Sequence, residues 1–174
     1  MTAKGHILLA STLAYMPFVY ILENHSFKEA LVFFVMAIVG SLLPDIDEPR
    51  SYIGGKSIYL AEFLHLLGLK HRTITHWLIT PLLIASCGYF VEHEFVSLVI
   101  FSIAFGILAH DIGDLLTNGG IGGFLFPFFP NTKIVLLPKV LRFETFSFVE
   151  MIFNALLFCA NIYLYTMLTI RLVP

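Results

Sequence analysis

Charge is scarce in this chain. Lys and Arg number 10 and Asp and Glu 12, together 13% of 174 residues, about half of the roughly 25% usual in soluble domains. So few charges cannot cover a water-facing surface. With 58% hydrophobic residues and a mean hydropathy of +0.88, the sequence points to a bilayer. A net charge of −2 provides no basic face, so nucleic acid has no electrostatic footing as a partner. The two cysteines, Cys87 and Cys159, lie inside apolar runs and read as small hydrophobes rather than a disulfide framework. No small-residue cleavage site follows the first apolar run, although Lys4 precedes it, so that run is read as a retained helix and not a signal peptide. Internal repeats, low-complexity linkers and a His-Glu-x-x-His pair are all lacking. The length suits one domain over residues 1–174.

What is abundant is long apolar runs, and a span needs about 20 such residues, or slightly fewer. Five qualify, near 6–22, 28–44, 76–92, 95–117 and 146–173. The expected fold is therefore all-α, a polytopic membrane helical bundle of about five transmembrane helices. Glu150, Asn154 and Asn161 fall within roughly 40° of one another on the last helix, so their stripe should face the bundle. Between the second and third runs, Ser57 can cap an interfacial amphipathic helix with Leu60, Phe63, Leu64 and Leu67 on one side and Glu62 and His65 on another. After the fourth run, residues 118–130 are apolar yet broken by Gly and Pro. Such backbone cannot face lipid in the hydrocarbon layer; it must be buried in protein, line a cavity or lie at the interface.

Threading five helices places Lys4, Arg50, Lys56, Lys70, Arg72, Lys133, Lys139 and Arg142 on one face and only Lys28 and Arg171 on the other. The positive-inside rule makes the first face cytoplasmic. His6, Asp45, Asp47, His71, His76, His110 and Asp114 all fall at that same face. Ionisable groups near hydrocarbon are expensive, so their convergence in depth is a functional-site expectation. His110 and Asp114, four apart on a helix, share a face and can reach one ion, with Thr117 continuing that face to orient a ligand or meet a substrate oxygen. Asp111 points about 100° away. Asp45 and Asp47 follow Pro44, where extended backbone would turn both carboxylates to the same side. His71 and His76, five apart, would diverge on a helix, so His71 belongs to the loop and His76 to the first turn of the span.

Imidazole and carboxylate without thiolate suit a divalent metal, zinc first, with manganese or iron as alternatives. Seven potential ligands exceed one tetrahedral ion and fit two, bridged by a carboxylate. Asp45, His71 or His76, His110 and Asp114 would hold one ion, and His6, Asp114 and Asp47 a second. Asp47 or Asp111 would serve as general base. Arg72 offers a planar fork that matches phosphate. His25, His65 and His93 read as anchoring or packing residues, Glu150 as a buried hydrogen-bonding partner, and the Phe-rich 124–129 stretch as an interfacial anchor.

Gly5-His6, Leu43-Pro-Asp-Ile-Asp47, His71-Arg-Thr-Ile-Thr-His76 and His110-Asp-Ile-Gly-Asp114-Leu-Leu-Thr117, followed by a Gly-rich stretch, resemble the YdjM-type inner-membrane metal-dependent hydrolases over residues 5 to about 130. Trp77 departs from the small residue usual after the second His. The order of His, Asp, His and His-x-x-x-Asp is also similar, more distantly, to zinc-dependent bacterial phospholipases C, which implies phosphodiester hydrolysis with Asp114 as a metal bridge. The resemblance implies a bacterial or archaeal cytoplasmic (inner) membrane enzyme acting on a lipid or lipid-linked substrate. A non-enzymatic metal-binding membrane protein or ion transporter is the alternative, and an intramembrane metalloprotease a third.

Overall fold

The computed structural model describes residues 1–66 and 72–172; His71, Leu67, Lys70 and the side chains of Leu60 and His65 lie outside the described set. Six α-helices carry the described chain: α1 (Ala3–Asn24), α2 (Phe27–Gly40), α3 (Ile58–Leu66), α4 (Ile79–Tyr89), α5 (Glu94–Leu115) and α6 (Phe148–Leu172). Four segments are long and apolar enough to cross a bilayer: α1, Phe27–Asp47, α5 and α6. Apolar side chains such as Met16, Val35, Phe101, Leu156 and Ile162 stand exposed along them, as lipid-facing surface requires. Helix starts are set locally. Thr2 caps α1 through the Gly5 amide, and Ser26 accepts from the Glu29 amide while its hydroxyl donates to the Glu29 carboxylate.

The third expected span, 76–92, is shorter than its hydropathy suggests. His76 ends a 3₁₀ turn (Ile74–His76), and the chain is extended at Trp77 before α4 begins at Ile79. Eleven residues rise roughly 16 Å, about half of a hydrocarbon layer. The missing length is taken up by the turn that delivers His76 into the bundle.

The tightest helix contact joins α2 to α5. A Cβ on Gly106 would lie 2.1 Å from the Ala37 carbonyl oxygen, and one on Gly40 would lie 2.4 Å from that of Ile103. Only backbone fits there, so the small residues let the two helices touch. On the other side α6 packs chiefly against α1, and the expected polar stripe does face inward: the Asn161 Nδ2 donates to the Leu8 carbonyl and the Thr12 hydroxyl, and Tyr165 donates to the Ser11 carbonyl. Near the start of α6, Glu150 accepts from the amides of Thr2 and Phe146, both at 2.6 Å. It is a buried backbone clamp.

The apolar Gly/Pro-rich segment folds back over the end of α5. Ile121–Gly122 pairs antiparallel with Lys133–Ile134, and Ile121 and Phe124 bury against Leu115. Trp77 stacks on Phe126 with ring centroids 3.9 Å apart, so the departure from a small residue at this position joins the turn before α4 to this loop. Helix α3 lies where an interfacial helix was expected, with Tyr59, Phe63 and Leu66 exposed and Ala61 buried.

Candidate metal centre

Four elements end at the same level. α1 begins there with His6, α2 runs into a 3₁₀ turn (Leu43–Asp47), the Ile74–His76 turn enters, and α5 closes with His110 and Asp114. His6, Asp47, His76, His110, Asp111 and Asp114 are fully or almost fully buried. The i, i+4 spacing of His110 and Asp114 puts Nε2 and Oδ2 4.0 Å apart, as the helical repeat dictates.

Around that pair the donors converge. His110 Nε2 lies 3.3 Å from His76 Nε2 and 3.7 Å from Asp45 Oδ1; His76 Nε2 lies 4.0 Å from Asp45 Oδ1 and 3.8 Å from Asp114 Oδ2. Five of the six separations among these four atoms therefore fall between 3.3 and 4.0 Å. A tetrahedral ion with bonds of about 2.0–2.1 Å needs its donors roughly 3.3 Å apart, so the His76, His110 and Asp114 donors lie at most about 0.7 Å wider than that spacing, and Asp45 borders them through the two imidazoles. The His76–His110–Asp114 triad has the donor chemistry for one divalent ion.

Both imidazoles are oriented from behind. His110 Nδ1–H donates to the Ser41 carbonyl at 2.7 Å, which leaves the Nε2 lone pair turned to the cluster. Thr75 performs the equivalent service for His76: its hydroxyl donates to Asp47 Oδ2 at 2.7 Å, so its oxygen accepts from His76 Nδ1–H at 2.8 Å. His6 completes the picture from α1. Its ring stacks on His110 at 3.6 Å with planes 6° apart, its Nε2 is 3.5 Å from Asp114 Oδ1, and neither ring nitrogen has a hydrogen-bond partner among the described residues. A fully buried imidazole with two unmatched nitrogens needs a partner such as a cation.

Several expectations change here. Asp45 and Asp47 do not share a side, because Leu43–Asp47, with Pro44 near its start, is a 3₁₀ turn rather than extended chain. Two residues apart on a threefold turn are about 120° apart, so Asp45 points into the cluster and Asp47 to Thr75. Asp47 Oδ2 thus stands behind His76 through the Thr75 hydroxyl. The groups His6–Asp45–His110 and His76–His110–Asp114 each gather metal-binding donors, yet they share His110, whose Nε2 can serve one ion. The Thr117 hydroxyl donates to the Asp114 carbonyl and secures the helix end rather than meeting a ligand. Asp111 is buried with both oxygens unpartnered among the described residues, and neither it nor Asp47 lines the adjoining cavity, so neither is placed to take a proton there. His71 lies outside the described residues. His25 and His93 are exposed at the opposite end of the bundle, as anchors would be.

Two cations hold the Asp114 carboxylate, a role the sequence suggested for neither, since Arg72 was expected to meet phosphate. Arg72 Nη2 is 2.8 Å from Asp114 Oδ2, while the Met1 ammonium is 2.7 Å from Oδ1. Arg72 sits at φ 61°, a left-handed conformation unfavourable for a side chain of this size. Its Nη1 donates to the Gly120 carbonyl, and a Cβ on Gly119 would stand 2.0 Å from that nitrogen. The Gly-rich loop is what lets the guanidinium reach Asp114.

Membrane-spanning helices that close at one end around buried His and Asp donors define a polytopic membrane protein with a candidate metal centre. The chain belongs to the YdjM inner membrane protein family, whose model matches residues 1–172. It is 27% identical over 134 residues to the inner membrane protein YdjM of Escherichia coli (strain K12), and equally to that of Shigella flexneri. Each match covers 70% of this chain and 63% of the relative, so the chain spans less than two thirds of the curated relatives it matches. No solved structure matches it.

Proposed function

We propose that this protein is a metal-dependent hydrolase embedded in the inner membrane, directing water at a phosphoester of a lipid or lipid-linked substrate. The observation that carries the reading is the buried His76, His110 and Asp114 triad, whose donors lie 3.3–4.0 Å apart with Asp45 3.7–4.0 Å from the two imidazoles. An imidazole–carboxylate set of this kind suits zinc, and also manganese or ferrous iron. When bound, such an ion polarises a phosphoryl oxygen and makes water more acidic.

The chain supplies the remaining parts. Ser41 and Thr75 hold the two imidazoles with their lone pairs inward, which removes reorientation from the reaction coordinate. Arg72, whose Nη1 and Nη2 are held by the Gly120 carbonyl and Asp114, lines a cavity of about 550 Å³ that also includes Asp45, so its charge would stand beside a phosphate bound there. Burial of the cluster keeps bulk water from competing for these charges. Lys4, Arg50, Lys56, Arg72, Lys133, Lys139 and Arg142 belong to the segments at the cluster end, which favours a cytoplasmic-facing site. The transporter alternative would need free polar groups through the depth of the bundle. Asn161, the deepest candidate, has its Nδ2 engaged in holding α6 to α1, which leaves only the Oδ1 atoms of Asn154 and Asn161 unpartnered in that stripe among the described residues.

Elemental analysis of purified protein is expected to find at least one zinc, manganese or iron per chain, lost together with phosphoester hydrolysis in His110→Ala. Protein free of stoichiometric metal, or hydrolysis unchanged in that variant, overturns the proposal.

A further inference from the structure

The cavity beside the cluster adjoins a second one. A second cavity of about 360 Å³ runs between α1 and α6, lined by Leu8, Met151 and Asn154 among others. The two share Thr2, Lys4 and Phe146 in their walls. The shared wall includes one cation and one aromatic, and Phe146 is 89% exposed with φ 66°.

The seam between α1 and α6 is pinned by hydrogen bonds at two levels, with Gly5 of α1 close against Asn154 of α6 between them. Glu150 ties it at the cluster end through the Thr2 amide, and Asn161 ties it deeper through Leu8 and Thr12. From Thr2 to Leu8 the seam descends roughly 9 Å along α1. Within that stretch the Asn154 Oδ1 is buried and without a hydrogen-bond partner among the described residues. On the outer side Val149, Met151 and Ile152 of α6 are exposed, so the seam borders hydrocarbon. The first cavity, which shares Lys4 with the seam, is lined by Lys4, Arg50 and Arg72 as well as Asp45 and Glu48, with Arg72 paired to Asp114 and Lys4 and Arg50 exposed.

We infer that the α1–α6 seam is the lateral entrance and binding groove for a membrane amphiphile with an anionic phosphate head. The head lies among Lys4, Arg50 and Arg72, and the chain lies along Leu8 and Met151. Charge complementarity at one end and continuity with hydrocarbon at the other select a bilayer lipid over a soluble phosphate compound. The inference rests on the hydrolase reading for what happens to the head, though occupancy of the groove does not require turnover.

The test uses the full chain in dioleoylphosphatidylcholine vesicles containing a minor share of phosphatidic acid that carries a photoactivatable diazirine in one acyl chain. After illumination, mass spectrometry is expected to find adducts concentrated on the α1 and α6 peptides that contain Leu8 and Met151. Labelling should fall about fivefold in Lys4→Ala or Arg50→Ala, both at exposed positions, since one basic contact near a bilayer surface is worth about that factor. Met151→Trp, which fills the groove, should lower it similarly while metal content is unchanged. A neutral diazirine diacylglycerol should label the seam several-fold less. Adducts spread evenly over the lipid-facing helices, equal labelling by the neutral probe, or indifference to Lys4→Ala and Arg50→Ala each overturn the inference. Seam labelling without any phosphoester hydrolysis would sink the hydrolase proposal and leave the groove. Hydrolysis of a soluble phosphoester without seam labelling would do the reverse.

Discussion

Thr75→Val isolates the support behind His76 from the ligand itself. Valine has nearly the shape of threonine, so no cavity opens, but the hydroxyl that accepts from His76 Nδ1–H and donates to Asp47 Oδ2 is gone. Both groups are buried, Asp47 at 1% exposure and His76 at 0%. Removing a buried hydrogen-bond partner costs about 1–3 kcal/mol for each group it served, partly recovered if the ring turns. A turned ring, however, no longer aims Nε2 between His110 and Asp114, which lie only 3.3 and 3.8 Å away. Loss of an oriented outer-shell partner typically weakens metal binding about 10- to 100-fold, equivalent to about 1.4–2.7 kcal/mol. Competition of purified protein with a chromophoric chelator should therefore show zinc affinity reduced by that factor in Thr75→Val and within about threefold of wild type in Thr75→Ser, which keeps the hydroxyl. Wild-type affinity in a folded Thr75→Val would refute the reasoning, as would an equal loss in Thr75→Ser.

Three other perturbations address different links. Gly119→Ala places a methyl 2.0 Å from Arg72 Nη1; metal content should stay at the wild-type value while phosphoester hydrolysis falls about 10-fold or more, as loss of a positioned charge-assisted contact implies. Gly106→Leu drives a side chain into the Ala37 backbone at the α2–α5 contact, and should reduce the yield of monodisperse protein in detergent size-exclusion chromatography, with Gly106→Ala intermediate. Asn161→Leu removes the α6-to-α1 hydrogen bonds and should destabilise the protein by about 0.5–2 kcal/mol in detergent or denaturant titration, with metal stoichiometry unchanged; an effect on metal content would mean that the stripe reaches the cluster.

Much of the centre was legible because helix periodicity is local. His110 and Asp114 had to share a face once a helix was granted, and Glu150, Asn154 and Asn161 had to form a stripe. His6 and His76 could be grouped with them by depth, since apolar runs of bilayer length fix which ends lie together. What failed were positions outside regular helix. Asp45 and Asp47 were separated by a 3₁₀ turn that differs from extended chain by one dihedral choice at each residue, and nothing in the local sequence distinguishes the two strongly. The shortening of the 76–92 span was equally hidden, because hydropathy measures transfer into lipid and is blind to where the backbone breaks.

The sequence by itself determined the membrane-spanning class, the helical architecture and the gathering of His and Asp at one end, because each follows from composition and from periods of a few residues. Only the tertiary structure decided which donors come together, that Asp47 stands behind His76, that Gly119 admits Arg72 to Asp114, and that two cavities adjoin at Thr2, Lys4 and Phe146. Those contacts join residues far apart in the chain, from Leu8 and Asn161 to Met1 and Asp114. Their geometry is set by how whole helices pack, which no local pattern encodes.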